Sequence, residues 1–457
     1  MSGKSIFLGL LSVAIVAAIF AVRPESPDAE IARNLARKAN LAESTQNIES
    51  PGIFRISNSL IAERDSVGDT WMLSQGHYST LVDLPFAPPR DGIFPAGEPV
   101  DDIDQRANPG YLGADACGEC HRDRHKGFVE TAHHLTSGRV VPGGIRGHFD
   151  GPGSVLATND AALSFEMRNL ADRLVQTVSY DDWHLDIPMD VFTGSAKSGQ
   201  TMLYWHGDGL YQTHVSYLTK VDSWIKSPGY DDTVAVYSRV IRDSCLECHI
   251  TFIKRKQAPN FFHRDSAVLG ISCERCHGPG EAHVQHHRKF PDEKTGEHII
   301  QPSGLTRQQQ LEICAQCHSG SFKLLGEAFS FVPGQNLSAH HKAIESNASG
   351  ASGVHTSNQL TRISMSECFQ QSEMTCTTCH NPHENQRGNT KGFTQACFQC
   401  HQVEHCGMSA QLGNKIVDDC IRCHMPLAKN ADMQGAGADL LSVEMVDHYI
   451  RVVKGQP

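Results

Sequence analysis

The sequence predicts a mainly α and irregular fold that is organised by covalently attached cofactors and interrupted by one antiparallel β insertion. Seven Cys-x-x-Cys-His pentapeptides lie between residues 117 and 424, the first observation behind this prediction. Aromatic residues make up only 7% of the 457 residues, and the mean hydropathy is −0.34, so the polypeptide core is small. Between the first and second pentapeptides, several segments have the composition and alternation of β-strands.

The pentapeptides are the attachment signature of c-type haem, in which two thiols bond the porphyrin and the adjacent histidine binds the iron. Chance predicts about 0.03 such motifs at this Cys and His content, and neither a zinc site nor a thioredoxin-like pair repeats in this form. The sequence therefore predicts seven covalent haem c groups. The attachment cysteines are Cys117, Cys120, Cys245, Cys248, Cys273, Cys276, Cys314, Cys317, Cys376, Cys379, Cys397, Cys400, Cys420 and Cys423. The proximal iron ligands are His121, His249, His277, His318, His380, His401 and His424.

The motifs are dense in the second half of the chain, where six of them share 180 residues, from Cys245 to His424. A polypeptide core that thin does not stabilise such a segment alone, so the porphyrins must supply much of the buried apolar surface. Each motif is expected to make one helical turn, which puts both sulfurs and the histidine on one side. Residues 308–313 are expected to lead helically into Cys314.

The chain is acidic, with 51 Asp and Glu against 40 Lys and Arg and a formal net charge of −11. The propionates of each haem make the loaded protein more acidic still. This charge excludes nucleic acid as a partner class and favours a basic redox partner or a solvated surface.

The N-terminal residues 1–24 predict a membrane signal. Lys4 precedes an uncharged apolar run from Ile6 to Val22, which is short for a membrane span and long for a signal-peptide core. Because Arg23 follows directly and no Ala-x-Ala site is present, we favour an uncleaved signal-anchor over a cleaved signal peptide. Either alternative exports the bulk of the chain to the periplasmic side of the bacterial inner membrane.

The remaining chain divides into two predicted regions. Residues 25–110 are interpreted as a juxtamembrane helix and a polar, proline-rich linker or arm, and residues 111–457 as a multihaem cytochrome c domain. The β insertion is placed at about residues 150–240, where His184, His206 and His214 are interpreted as structural or surface residues. Its predicted strands are Ala161–Met167, Leu174–Tyr180, Thr201–Trp205 and Tyr211–Tyr217.

Several segments from residue 111 to the C-terminus resemble one family, the exported multihaem c-type cytochromes with a cytochrome c-554/c-prime-type domain. That family is related to the electron carriers that serve hydroxylamine oxidoreductase. The chain departs from its pattern at Thr213-His214, where Leu-Pro is frequent, and at Ala196, where Gly is commoner. The segments that carry the resemblance are 194–200, 203–205, 215–217, 227–230, 270–273, 277–283 (His-Gly-Pro-Gly-Glu-Ala-His) and 376–383.

The resemblance also implies distal iron ligands. Nineteen histidines lie outside the motifs, so counting alone leaves open whether any iron lacks a second ligand. For each candidate, the alternative is a solvated histidine or one bonded to a propionate. His340 and His341 are weaker candidates, whereas His134, His286 and His287 are interpreted as neighbours of ligands. The histidines that match the family pattern are His133, His283, His355, His383 and His448.

Two cysteines, Cys368 and Cys406, fall outside the motifs. In an oxidising compartment an even remainder favours a disulfide, and two separate thiols are the alternative.

The function predicted from these observations is electron transfer along a chain of mostly bis-histidine haems. One alternative is a multihaem oxidoreductase that acts on a small nitrogen or sulfur compound at one five-coordinate haem. Another is a subunit docked to a quinol-oxidising membrane complex, with other redox proteins as partners. No Walker loop, nucleophile elbow or Cys-x-x-Cys-Lys site is present, so the sequence assigns no catalytic residue.

Overall fold

The structure, a computed structural model, describes residues 108–453 with short gaps, and four strands between residues 54 and 82. The gaps are residues 160, 172, 181–182, 228–229, 231–234, 236, 238, 258–260, 345–353 and 430–443. The predicted signal-anchor and juxtamembrane helix lie outside the described residues. None of the helices in the described part of the chain has the length and apolar character needed to cross a bilayer.

The strands belong to several antiparallel sheets of very different size. They are β1 (Phe54–Arg55), β2 (Leu60–Arg64), β3 (Trp71–Gln75), β4 (Tyr78–Val82), β5 (Ser137–Arg139), β6 (Val155–Ala157), β7 (Leu163–Leu170), β8 (Arg173–Tyr180), β9 (Trp183–Pro188), β10 (Val191–Thr193), β11 (Gly199–His206), β12 (Gly209–Leu218), β13 (Ser223–Lys226), β14 (Arg239–Val240), β15 (Ile250–Phe252), β16 (Arg255–Gln257), β17 (Phe261–Phe262), β18 (Val268–Leu269), β19 (Phe322–Leu324), β20 (His341–Ala343), β21 (Leu427–Lys429) and β22 (Glu444–Val446).

The helices are short, and most of them lie in or beside a haem motif. They are α1 (Ala114–Gly118), α2 (Arg122–Phe128), α3 (Asp243–Leu246), α4 (Glu274–His277), α5 (Glu281–Lys289), α6 (Arg307–His318), α7 (Gln359–Ser364), α8 (Glu367–Gln370), α9 (Thr390–Cys397), α10 (Ser409–Leu412) and α11 (Ile421–His424). Short 3-10 turns lie at His134–Thr136, Pro152–Ser154, Arg264–Ser266, Pro302–Gly304, Leu337–Ala339, Thr356–Asn358, Cys376–Thr378, Val403–His405 and Gly413–Asp418.

The β insertion consists of two sheets. Three of the four predicted strands lie within β8, β11 and β12, and the first overlaps β7 from Leu163 onward. One sheet is the meander β6-β7-β8-β9. The other has the order β16-β17-β12-β11-β10-β5, with β13 and β14 also paired to β12. The β11–β12 hairpin turns at Gly207-Asp208, the turn residues between its two strands.

The two sheets pack face to face around a buried apolar core. Phe165 and Val178 enter it from the meander, and Met202, Val215 and Trp224 enter it from the larger sheet. The insertion therefore has a core of its own that does not depend on the haem motifs. His214 belongs to this core, where its ring stacks on that of Phe165 at 4.3 Å, in agreement with the structural role predicted for it.

The opposite face of the larger sheet attaches the insertion to the haem-bearing body. Leu203 and Leu210 pack there with Tyr111, Ile250 and Phe252, which flank the first and second motifs. Because successive residues of a strand point to opposite faces, one sheet serves two cores. The second haem motif is thus held directly against the β insertion.

The family departure at Ala196 lies in the turn between β10 and β11. Its φ is 61°, a left-handed conformation that glycine adopts at lower cost than alanine. The left-handed conformation gives a physical reason why glycine would be favoured at this position.

The haem motifs form single helical turns, as predicted. In five motifs the histidine N–H donates to the carbonyl of the first cysteine at 2.9–3.0 Å. The fourth motif ends the longest described helix, α6, whose predicted lead-in is confirmed. Thr306 and Gln309 cap its start through reciprocal side-chain to backbone hydrogen bonds.

The prediction of a mainly α fold understates the β content, which is substantial at 24% strand. Helices remain short because a motif needs only one turn to present its sulfurs and histidine. The small antiparallel pairs β15–β18 and β19–β20 lie between motifs, and β21–β22 follows the last motif. These pairs supply backbone hydrogen bonds that longer helices would otherwise provide.

The segment interpreted as an irregular linker contains a four-stranded antiparallel sheet, β1-β2-β3-β4. Its last strand lies against β14, the strand beside the second motif. The proline-rich composition of the segment obscured these strands, although Pro85, Pro88, Pro89, Pro95 and Pro99 all lie beyond the sheet.

Cys368 and Cys406 are not bonded to each other in the structure, and the disulfide favoured for them stays a prediction. Cys368 is held in α8, and Cys406 ends the turn Val403–His405. Even parity of the leftover cysteines carries no information on the distance that a disulfide needs.

Substitution Phe165→Ala is expected to destabilise the β insertion by about 4 kcal/mol, because it leaves a cavity in a fully buried core. Amide hydrogen exchange should accelerate across residues 163–218, while haem content stays unchanged because the motifs belong to a different core. Val155→Ala is the matched control, since Val155 is 47% exposed. Loss of haem from Phe165→Ala would contradict the independence of the two cores.

Candidate haem centres

Four histidine rings outside the motifs each lie opposite the ring of a motif histidine. Three of the four pairs have nearly parallel ring planes, at 18–26°, and the pair His133–His318 is crossed at 71°. Each pair joins parts of the chain that are far apart in sequence. The distances between ring centres are 6.3 Å for His121–His283, 6.1 Å for His133–His318, 6.1 Å for His277–His383 and 6.0 Å for His380–His448.

This separation fits one iron between two imidazoles. A metal bound by two ring nitrogens at about 2 Å each, with each ring centre about 1 Å behind its nitrogen, requires centres about 6 Å apart. Rings that merely stacked on each other would lie closer, as His214 and Phe165 do at 4.3 Å. The donor set, two neutral imidazoles beside two cysteines, is that of a bis-histidine c-type haem.

Backbone carbonyls orient several of these rings. The Nδ1 of His277 lies 2.9 Å from the carbonyl of Ile300, and that of His318 lies 2.7 Å from the carbonyl of Thr356. A carbonyl oxygen only accepts, so Nδ1 carries the proton and Nε2 keeps its lone pair for a metal. His283 follows the same pattern, with Nδ1 at 2.7 Å from the carbonyl of Glu297.

The C-terminal segment that carries His448 is fastened by a buried carboxylate. Asp447, 1% exposed, accepts from Arg362 Nε at 2.8 Å and Nη2 at 2.7 Å, and from Arg451 Nη1 at 2.8 Å. This bidentate pair ties the segment to α7 and holds His448 opposite His380. Burial lowers the pKa of His448 to about 4, with a further contribution from His380, so the ring is neutral at neutral pH.

His355, the fifth distal candidate, contacts the turn that directly follows it in the chain. Its Nδ1 accepts from the Ser357 N–H at 3.1 Å and so caps the turn Thr356–Asn358. The ring that lies opposite His318 is that of His133.

The remaining three motif histidines are His249, His401 and His424. His249 Nδ1 is 3.1 Å from Thr136 Oγ1, and His424 Nδ1 is 3.0 Å from the carbonyl of Arg451.

The weaker histidine candidates have other contacts. His341 stacks on Phe322 at 4.0 Å, and His340 Nδ1 is 2.8 Å from Ser330 Oγ. His286 Nε2 bonds Glu293 at 2.7 Å. Of the three predicted neighbours, His287 lies at 4.5 Å from His283, His286 lies beside His287, and His134 packs on Phe128.

The structure brings the motif cysteines of different motifs together. The neighbouring thiols of Cys273, Cys317 and Cys376 raise the pKa of Cys117, Cys248 and Cys314 respectively. The first motif therefore adjoins the third, and the fourth adjoins the second and the fifth.

Sequence reasoning missed Glu274, which lies between the two cysteines of the third motif. It is 1% exposed, and its carboxylate accepts from Leu112 N and Gly113 N at 2.8 Å, and from Gly280 N and Ser272 Oγ at 3.0 Å. It joins the segment before the first motif to the third motif. An acidic residue inside the motif that leads into His-Gly-Pro-Gly was the signal available in the sequence.

The family motif His-Gly-Pro-Gly has a matching structural reason. Gly278 ends α4 with φ of 79°, and the turn that follows brings the Gly280 N–H to Glu274. The turn then starts α5, which carries His283 to its place opposite His121.

The polypeptide core around the last three motifs is small. Among the described residues of 354–429, the buried apolar side chains are Val354, Phe369 and Ile416. So few buried residues do not stabilise a segment of this length, as expected where porphyrins provide the apolar interior.

Comparisons with known proteins found similarity to cytochromes that carry several haems. Residues 218–278 match the family model described as cytochrome c554 and c-prime. The multiheme cytochrome MtrA of Shewanella baltica (strain OS185) is 24% identical over 194 residues, which cover 36% of this chain and 54% of that protein. The match thus spans about half the length of this relative. The outer cell wall cytochrome OcwA aligns over 75% of this chain and 80% of its own, with a TM-score of 0.48 and 16% identity.

The repeated attachment motifs and the matched family model make the chain similar to multihaem c-type cytochromes. Within that class, the segment with the second and third motifs is similar to the cytochrome c554 and c-prime domain.

Substitution Glu274→Gln is expected to lower the free energy of unfolding by about 2 kcal/mol, because the new amide nitrogen faces backbone N–H donors and leaves them unpaired. Thermal denaturation followed at the haem absorbance measures the change. Glu119→Gln, at an exposed position of the first motif, should change stability by less than about 0.5 kcal/mol. Equal effects of the two substitutions would argue against the docking role of Glu274.

Proposed function

We propose that the chain is an exported electron carrier that holds seven haem c groups, most of them with two axial imidazoles. The observation that carries this proposal is the set of four imidazole pairs whose ring centres lie 6.0–6.3 Å apart. When bound, each haem supplies a one-electron Fe(III)/Fe(II) couple.

The protein's own residues hold and orient the ligands. Carbonyls of Ile300, Thr356 and Glu297 fix the ring tautomers, and Asp447 fixes the segment of His448. Two imidazoles per iron leave no coordination position for a substrate, and rigid ligands keep the geometry similar in both oxidation states. These properties suit electron transfer rather than substrate conversion.

The proposed location is the periplasmic side of the inner membrane, with an N-terminal anchor at residues 6–22. Export is required because c-type haem is attached outside the cytoplasm in bacteria. The proposed partners are redox proteins, among them a quinol-oxidising membrane complex. The acidic net charge of −11 favours partners with basic docking surfaces.

A second candidate function is an oxidoreductase that acts on a small nitrogen or sulfur compound at one five-coordinate haem. The observation in its favour is a cavity of about 20 Å³ beside the second motif, lined by Leu246, Ile250, Trp205, Arg139 and Arg264 among others. Such a volume holds about one water-sized molecule.

The carrier proposal predicts seven haems, nearly all low-spin when ferric. Intact mass should exceed the polypeptide by seven haems, and a pyridine haemochrome assay should agree. The crossed pair His133–His318 should give a low-spin electron paramagnetic resonance signal distinct from those of the parallel pairs. A large high-spin population that turns over hydroxylamine or nitrite would support the oxidoreductase instead.

Substitution His448→Ala should convert about one haem in seven to high-spin, because one iron loses its second strong ligand. Added imidazole should restore the low-spin spectrum, an outcome that damage to the fold would not produce. The control His286→Ala, which removes a ring bonded to Glu293, should leave the spectrum unchanged. An unchanged spectrum in His448→Ala would remove His448 from the set of ligands.

A further inference from the structure

Two charged residues that lie between motif cysteines form a buried ion pair. Arg275 of the third motif is 3% exposed, and Glu247 of the second motif is 1% exposed. Arg275 Nη2 donates to Glu247 Oε2 at 2.7 Å and to the Glu247 carbonyl at 3.0 Å. The two motifs are therefore bonded through residues that take no part in haem attachment.

The fourth motif joins the same cluster. Gln316, between its two cysteines, donates from Nε2 to the Arg275 carbonyl at 3.2 Å. Cys317 belongs to the same motif as Gln316, and its Sγ lies 3.8 Å from the Glu247 carbonyl. Residues inside three different motifs thus converge around one guanidinium.

Stability alone does not account for this pair. A buried ion pair contributes little net stability, because desolvation offsets the attraction, but removing one partner is costly and the geometry it imposes is strict. Arg275 Nε and Nη1 have no hydrogen-bond partner among the described residues, which lowers the net stabilisation further. The main effect of the ion pair is therefore to fix the positions of the three motifs relative to one another.

We propose that Arg275 and Glu247 are positioning residues that dock the second, third and fourth haem motifs into a three-way electron junction. This inference rests on the proposed electron-carrier function. The thioether sulfurs fix one edge of each porphyrin, so motifs that meet at this cluster bring three porphyrin edges together.

The other contacts make the junction a branch in a longer line. The first motif reaches the third through Glu274, and the fourth reaches the fifth through Arg307, which donates to the carbonyls of Met374 and Phe369 at 3.0 and 2.8 Å. The line therefore runs from the first motif through the third and fourth to the fifth. The second motif leaves this line and ends against the β insertion, where Leu246 and Ile250 are packed. The second motif is therefore a third point at which electrons can enter or leave, besides the first and the fifth motifs.

The test exploits the charge at the junction. Glu247→Gln keeps the size of the side chain, removes a negative charge beside three haems and so favours their reduced forms. A spectroelectrochemical titration should show about three sevenths of the absorbance change moving to higher potential. Arg275→Lys keeps the positive charge and should leave the potentials near those of the wild type.

Glu119→Gln is the matched control, because Glu119 has the same place in the first motif and its side chain is 62% exposed. In Glu119→Gln, at most one seventh of the absorbance change should move to higher potential. Haem content and spin state in all variants report on the carrier function separately. If seven low-spin haems remain and Glu247→Gln moves one seventh or less, the junction is wrong while the carrier function stands.

A haem-resolved structure gives a second test that does not depend on how the variants fold. The irons bound by His249, His277 and His318 should be mutual near neighbours. An arrangement in which the iron on His249 lies closer to a haem outside this group than to both of the others would refute the junction.

Discussion

The separation between paired imidazole rings is the constraint on which the rest of the structure depends. Rings held 6.0–6.3 Å apart do not gain contact energy from each other, so their placement must come from the surrounding chain. The carbonyl acceptors and the buried carboxylates of Asp447 and Glu274 all hold segments that carry these rings. Each pair closes a long loop of chain, which explains how short helices and small sheets form one body.

The β insertion and the haem-bearing body are stabilised in different ways. The insertion buries a conventional apolar core between two sheets, whereas the region of the last three motifs has few buried apolar residues. One sheet links them because its strands bury both faces. The second motif lies at this link, so its surroundings are shared by both parts of the molecule.

Much of this arrangement could be predicted from local chemistry. The spacing of Cys-x-x-Cys-His follows from covalent attachment, and the strands followed from alternation and turn residues. Four of the five histidines that match the family pattern lie opposite motif histidines, but the pattern did not tell which ring faces which. Long-range contacts such as Arg275 with Glu247 have no periodic signature, since each residue is ordinary in its own segment. The even number of leftover cysteines, Cys368 and Cys406, likewise gave no information on the distance between them.

The order of the paired rings along the chain has a consequence for maturation. Under the proposed export, a chain that crosses the membrane N-terminus first would present His121, His277 and His380 long before their opposing rings at His283, His383 and His448. The fourth motif is the reverse case, because His133 precedes His318 in the chain. Haem attachment to three motifs would therefore precede completion of their surroundings, and at the fourth the second ring would already be present. Of the four paired rings outside the motifs, His448 would arrive last and complete its site last.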